Sequence, residues 1–225
     1  MLQAGLHNSR RASVRITEVS PRDGLQHESE FVPTLRKIAL INALSRTGVT
    51  EIEAGSFVSP AAIPQLADSD EVLRAIDRIP GVAYSALVPN ERGLERARAA
   101  GVDKIAVFTA ASNSFTRHNI KATVQESLVR FRPIVAAAKR DGMAVRAYLS
   151  TVVFCPYEGR IAPTQVRDVM ERLLDLAVDD ISLGETVGKA SPTDIRRLLD
   201  TVLPHVEPAR LSLHFHDTYG MAVAN

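Results

Sequence analysis

Residues 13–26 read SVRITEVSPRDGLQ, a β-branched run that ends in a turn built on Pro21 and Gly24. A dinucleotide-binding sheet carries its G-x-G-x-x-G phosphate loop at this place, between the first strand and the first helix. Here the place holds SPRDGLQ, with one glycine and an Arg-Asp pair. The doubly wound nucleotide fold loses its main support at the first turn. Further strand-like runs follow outward along the chain: EIEAGSF (51–57), AYSALV (83–88), KIAVFTA (104–110), VRAYLSTV (145–152), DISLGET (180–186) and LSLHFHD (211–217). Amphipathic stretches lie between them at 34–47, 123–141, 163–178 and 192–203. In the last of these, Ile195, Leu198, Leu199 and Val202 recur at three and four, forming one apolar helix face. Pro163 and Pro192 sit at first-turn positions, where a missing amide costs nothing.

Alternating strands and helices make a parallel sheet with right-handed crossovers. Repeats of roughly 30 residues favour a closed barrel of about 250 residues over an open sheet. The reading is an α/β fold, a TIM (β/α)8-type barrel with seven of its eight βα units. It forms a single domain over 14–225 behind a solvated lead-in at 1–13.

Composition narrows the function. The chain of 225 residues is 45% apolar and 24% charged, ordinary values for a packed core. A net charge of +1 gives no electrostatic reason to expect nucleic acid or a membrane surface. No apolar run has the length of a membrane span. Arg10, Arg11 and Arg15 precede the first acid, Glu18, but a strand starting near Val14 leaves little room for a transit peptide. One cysteine, Cys155, excludes an internal disulfide and fits a reducing compartment, so the expected location is cytoplasmic.

Side chains alternate along a strand, so Ser212, His214 and His216 share one face and Leu211, Leu213 and Phe215 the other. In a barrel the apolar set faces the helices. The histidines then face the interior near the strand's C-terminal end, where barrel active sites lie. Two imidazoles at i and i+2 either converge on one metal ion or form a hydrogen-bonded core pair. A metal site needs further ligands. Asp23 closes the first strand, near the last one in a barrel, and is able to reach the same ion, with Arg22 as a fixed cation beside it. The competing reading is a surface Arg-Asp pair at an ordinary D-G turn. Glu53 alternates with Ile52 and Ala54, so it points inward, where a carboxylate needs a cation or metal. Glu185 ends its strand either as a site acid or as a cap. Arg146 is a rim ion pair or a substrate contact, and Cys155 reads as inert packing.

Together EVSPRDGLQ, EAGSFVSPAAIPQ, CPYEG, ISLGETVG and HFHDTYGMAVAN resemble the 3-hydroxy-3-methylglutaryl-CoA lyase family of metal-dependent DRE-TIM barrels. The resemblance runs from about Val14 to Asn225. It implies Mg2+ or Mn2+ on Asp23, His214 and His216, and cleavage of an acyl-CoA substrate to acetyl-CoA and acetoacetate. It also implies that Arg22 stabilises charge on the thioester oxygen, that Glu53 and Glu185 support the site, and that the protein is a homodimer. The chain departs from the family in two ways. Glu185 stands where the family commonly has aspartate. The family's glycine-rich loop with its proton-transferring cysteine, and the asparagine that completes the metal site, are absent. The expectation is a fragment that leaves the first and seventh strands with unpaired edges. Runner-up readings are a lyase for a related 3-hydroxyacyl-CoA and a non-catalytic remnant that binds metal or acyl-CoA. A metal-dependent hydrolase would carry H-x-H on the first strand, not the last.

Overall fold

The computed structural model describes residues 14–225, so the expected lead-in at 1–13 lies outside the described residues. Nine strands and seven α-helices follow in order: β1 (Thr17–Glu18), α1 (Thr34–Leu44), β2 (Glu51–Ser56), α2 (Ser69–Ala75), β3 (Ala83–Leu87) and α3 (Glu91–Ala99). Next come β4 (Lys104–Ala110), α4 (Asn113–Ile120), α5 (Val124–Arg140), β5 (Ala144–Ser150) and a short hairpin, β6 (Phe154–Cys155) with β7 (Gly159–Arg160). The series ends with α6 (Pro163–Leu174), β8 (Asp180–Glu185), α7 (Pro192–Val202) and β9 (Leu211–Phe215).

Seven strands form one parallel sheet in the order β1-β2-β3-β4-β5-β8-β9. The seven expected strands are these seven. The first is shorter than its sequence suggests, pairing only over Thr17–Glu18. As an edge strand it has one neighbour, and Val14 and Ile16 ahead of it stay exposed. The sheet is curled as in a TIM barrel and open between β1 and β9, where a cleft of about 850 Å3 is lined by Ile16, Thr17, Tyr148, Ser212 and His214.

Alternation puts Ile52, Ile105, Val107, Val145, Leu149, Ile181 and Leu183 on the outer face, each fully buried under the helices. Burying each such side chain contributes roughly 1.5–3 kcal/mol before entropy is counted. Leu211 and Phe215 join that core, but Leu213 does not and is 41% exposed on the edge strand. The inner face is charged: Glu51, Glu53, Lys104 and Arg146 are all buried there.

Helix starts follow local chemistry. Thr123 with Glu126 and Ser191 with Asp194 form reciprocal capping boxes at α5 and α7. Asn90 and Ser112 cap α3 and α4 by accepting from the amides of Gly93 and Phe115. Arg160 also donates to Asp194 at 2.7 Å, tying the hairpin to α7. Partial burial would raise the Asp194 carboxyl, but hydrogen bonds from Arg160 and Ser191 outweigh it and hold the group at about 2, below its ordinary 3.8. A carboxyl depressed by folding adds stability above its unfolded value and loses it as pH falls through the folded one. Asp194→Ala is therefore expected to flatten the acid limb. In urea melts the wild type should lose more of its midpoint between pH 4 and pH 2 than the variant does. Parallel acid limbs would refute this assignment.

Candidate metal centre

The site starts at the turn that lacks the nucleotide fold's glycine loop. After β1 the backbone makes one wide turn over Ser20–Gly24, with the Leu25 amide donating five residues back to the Ser20 carbonyl. Wide turns of this kind recur at functional sites because they re-aim side chains. Here Arg22 is buried, and Asp23 projects beside it at the C-terminal end of the strand.

Asp23, His214 and His216 come together, each offering a ligand atom within 4.8 Å of the others. Asp23 Oδ2 lies 3.4 Å from His214 Nε2. The other oxygen, Oδ1, accepts from Arg22 Nη1 at 2.7 Å and from Gln26 Nε2 at 2.9 Å. One carboxylate oxygen is thus anchored while the other faces the histidines. His216 Nδ1 sits 2.7 Å from the Thr186 carbonyl, which only accepts, so Nδ1 donates there and Nε2 is the nitrogen turned to the site. Burial lowers the His214 imidazole below its ordinary value; Asp23 opposes this, and His216 and Arg22 add to it. A neutral imidazole is the ligand form. These donors suit a divalent cation with open positions for substrate oxygens.

A second layer supports the first. Arg22 Nε donates to Glu53 Oε2 at 2.6 Å, and the Tyr148 hydroxyl donates to the same oxygen at 2.9 Å. Burial and the Glu53 charge hold the Tyr148 phenol well above its ordinary value, so it remains a donor. Burial alone would lower the Arg22 guanidinium, but Glu53, Tyr148 and Asp23 outweigh that and keep it charged. Arg22 Nη2 makes no hydrogen bond among the described residues.

Glu185 stands apart from this group. Sheet register pairs Gly184 with His214 and Glu185 with Phe215, so Glu185 shares the helix-facing side of Ile181 and Leu183. It is fully buried, and its Oε1 accepts from the Lys189 amide at 3.4 Å. Its carboxylate meets the loop after β8, while its backbone carbonyl accepts from the His216 amide at 3.4 Å. Asn225 donates to the Ala190 carbonyl in that same loop. Arg146 belongs to an ion cluster deeper in the sheet, and Cys155 is buried with its thiol donating to Ser112 Oγ. Sequence reasoning overlooked Tyr148, although it alternates with Arg146 along β5 and so faces inward by the argument applied to Glu53. Gln26 was missed as well, because its role depends on the turn geometry.

The loop that holds His216 is tightly packed. Gly188 has φ +72°, and a Cβ there would meet Thr218 Oγ1 at 2.6 Å and the Thr218 amide nitrogen at 2.8 Å. Gly188→Ala is expected to displace the His216–Thr218 segment at a cost of about 1–3 kcal/mol in stability. A thermal melt checks the stability. A Mn2+ titration checks whether His216 has moved, which weaker binding would report.

Known proteins share this fold and much of its sequence. A bovine (Bos taurus) mitochondrial hydroxymethylglutaryl-CoA lyase is 48% identical over 94% of the chain, which spans 65% of that relative's length. The crystal structure of an HMG-CoA lyase from Brucella melitensis superposes with a TM-score of 0.92 at 50% identity, covering 94% of this chain and 75% of that one. An HMG-CoA lyase from Acinetobacter baumannii, solved with coenzyme A and 3-methylmalate, gives 0.90 at 39% identity over 94% of this chain and 69% of that one. The HMGL-like family profile matches residues 13–225, the full stretch that carries both the curled sheet and the convergent Asp-His-His group, and the chain belongs to that family.

Proposed function

We propose that this chain carries the metal centre of a lyase that cleaves 3-hydroxy-3-methylglutaryl-CoA to acetyl-CoA and acetoacetate. The convergence of Asp23, His214 and His216 beside a buried Arg22 carries this reading. The similarity to hydroxymethylglutaryl-CoA lyases favours the same chemistry.

Asp23, His214 and His216 would hold Mg2+ or Mn2+, with Asp23 anchored through its second oxygen and His216 through its second nitrogen. A bound ion of this kind supplies Lewis acidity that lowers the pKa of the substrate's tertiary hydroxyl. Removal of the hydroxyl proton lets that oxygen's electron pair form the ketone of acetoacetate. The carbon–carbon bond breaks, and its electrons pass to the thioester as an enolate. Arg22 directs Nη2 to the thioester oxygen, where negative charge develops. Glu53, held by Tyr148, fixes the Arg22 guanidinium from behind. One proton leaves the hydroxyl for solvent and one returns from solvent to the enolate carbon, which balances the step and completes acetyl-CoA. The buried single cysteine fits a reducing compartment, and we place the protein in the cytoplasm.

The test is acetyl-CoA and acetoacetate release from 3-hydroxy-3-methylglutaryl-CoA with Mg2+ or Mn2+. It is run on the 225-residue chain and on the chain with its flanking reading frame. Equal amounts of both products from either form support the lyase. Metal binding by both forms, without turnover of this or a related 3-hydroxyacyl-CoA, would replace it with a binding role.

A further inference from the structure

The interior of the sheet holds an ion cluster that the proposed reaction does not use. Arg146 on β5 lies 2.7 Å from Glu51 on β2 and 2.5 Å from Asp180 on β8, and donates to Thr17 Oγ1 on β1 at 3.3 Å. Lys104 on β4 lies 3.1 Å from Glu51 and 2.5 Å from Asp180. Glu51, Lys104 and Arg146 are each no more than 7% exposed. Two cations and two carboxylates balance.

Such a cluster is a poor source of net stability, because desolvation offsets most of the attraction and apolar residues of the same volume do as well. Its geometry is informative instead. β2 and β5 are three steps apart in the sheet. At about 4.8 Å per step a flat sheet would hold them about 14 Å apart. Glu51 and Arg146 meet only because the sheet is curled. The same curl brings Asp23, beyond β1, to His214 on β9, six steps away. A flat sheet would separate β1 and β9 by about 29 Å. Apolar contacts tolerate a range of curvature, whereas a guanidinium gripping partners on β1, β2 and β8 accepts a narrow one.

We propose that Arg146 and Glu51 form a clasp that sets the curvature of the sheet, and are thereby positioning residues that hold Asp23 within reach of His214 and His216. This rests on the metal reading above. The test is Mn2+ affinity, measured by electron paramagnetic resonance on the 225-residue chain. The proteins compared are the wild type, Arg146→Met, the double variant Arg146→Met/Glu51→Gln, and Lys139→Met, which removes an exposed ion pair with Asp179. The double variant removes one cation and one anion and leaves Lys104 paired with Asp180. Both clasp variants are expected to bind Mn2+ at least about 10-fold more weakly, the range for groups that orient ligands, with Lys139→Met unchanged. The double variant is expected to keep a native far-UV circular dichroism spectrum.

Wild-type affinity in the double variant overturns the clasp. If affinity falls in the single variant and returns in the double, the cause was an uncompensated charge, and the proposal fails. Loss of the native spectrum in the double variant would make the cluster a folding determinant and also overturns the positioning role. A wild type that binds no Mn2+ overturns the metal reading itself, and the clasp's role with it.

Discussion

Asp23→Ala and His214→Ala are each expected to weaken Mn2+ binding by about 100-fold or more, since removing even the partners of ligands commonly costs about 10–100-fold. The two substitutions act from opposite edges of the sheet. Asp23 follows β1 and His214 lies on β9, yet their side-chain atoms are 3.4 Å apart. Neither change empties the apolar core, because Asp23 and His214 are only partly buried and face the interior. Thermal stability without metal should stay near that of the wild type, and the stabilisation that Mn2+ gives the wild type should vanish. Gln26→Ala serves as a graded control. It removes one of two donors to Asp23 Oδ1 and leaves Arg22 in place. Titration of Mn2+ against all four proteins decides the matter, and wild-type affinity in Asp23→Ala would remove the carboxylate from the site.

The second large effect concerns turnover without metal loss. Arg22→Ala is expected to weaken Mn2+ binding no more than Gln26→Ala does, because Gln26 still holds Asp23 Oδ1. That variant strands Glu53, a buried carboxylate whose cationic partner is Arg22, and breaking such a pair costs about 3–5 kcal/mol. Arg22→Lys isolates the chemistry better. Lysine keeps a cation beside Glu53 but loses the planar fork that serves Glu53, Asp23 and a third acceptor together. In whichever form of the chain turns over, kcat should fall by about 10²–10³-fold, the size of effect seen when one donor to a developing oxyanion is removed. KM should move little. If Arg22→Lys lost Mn2+ instead, Arg22 would be an organiser of the metal ligands and not a stabiliser of substrate charge.

Much of this was legible because it depends on short-range pattern. The seven strands, the apolar helix face within 192–203, and the inward face of Glu53 all follow from periodicity within a few residues. Other features were not. The shortening of β1 reflects its having one neighbour, and the exposure of Leu213 has the same origin on β9. α2, α3 and α4 are short and carry no long apolar stripe; side-chain caps at Asn90 and Ser112 start α3 and α4, and α2 has none. Glu185 at the end of its strand read either as a site acid or as a cap. Its parity with Ile181 and Leu183 turns it to the helices, and the register with Phe215 makes that plain.

By itself the sequence determined the class of fold and the kinds of group available: alternating strands and helices, two histidines on one strand face, and an Arg-Asp pair at the end of another strand. Those are properties of neighbours along the chain, governed by backbone geometry with periods of two and 3.6 residues. Only the tertiary structure decided that Asp23 and His214, 191 positions apart in the chain, lie within ligand reach of one ion. That proximity arises from the curvature of the whole sheet. Curvature is summed over every strand and fixed by contacts such as Arg146 with Glu51, which join strands that are not neighbours and leave no periodic signature in the sequence.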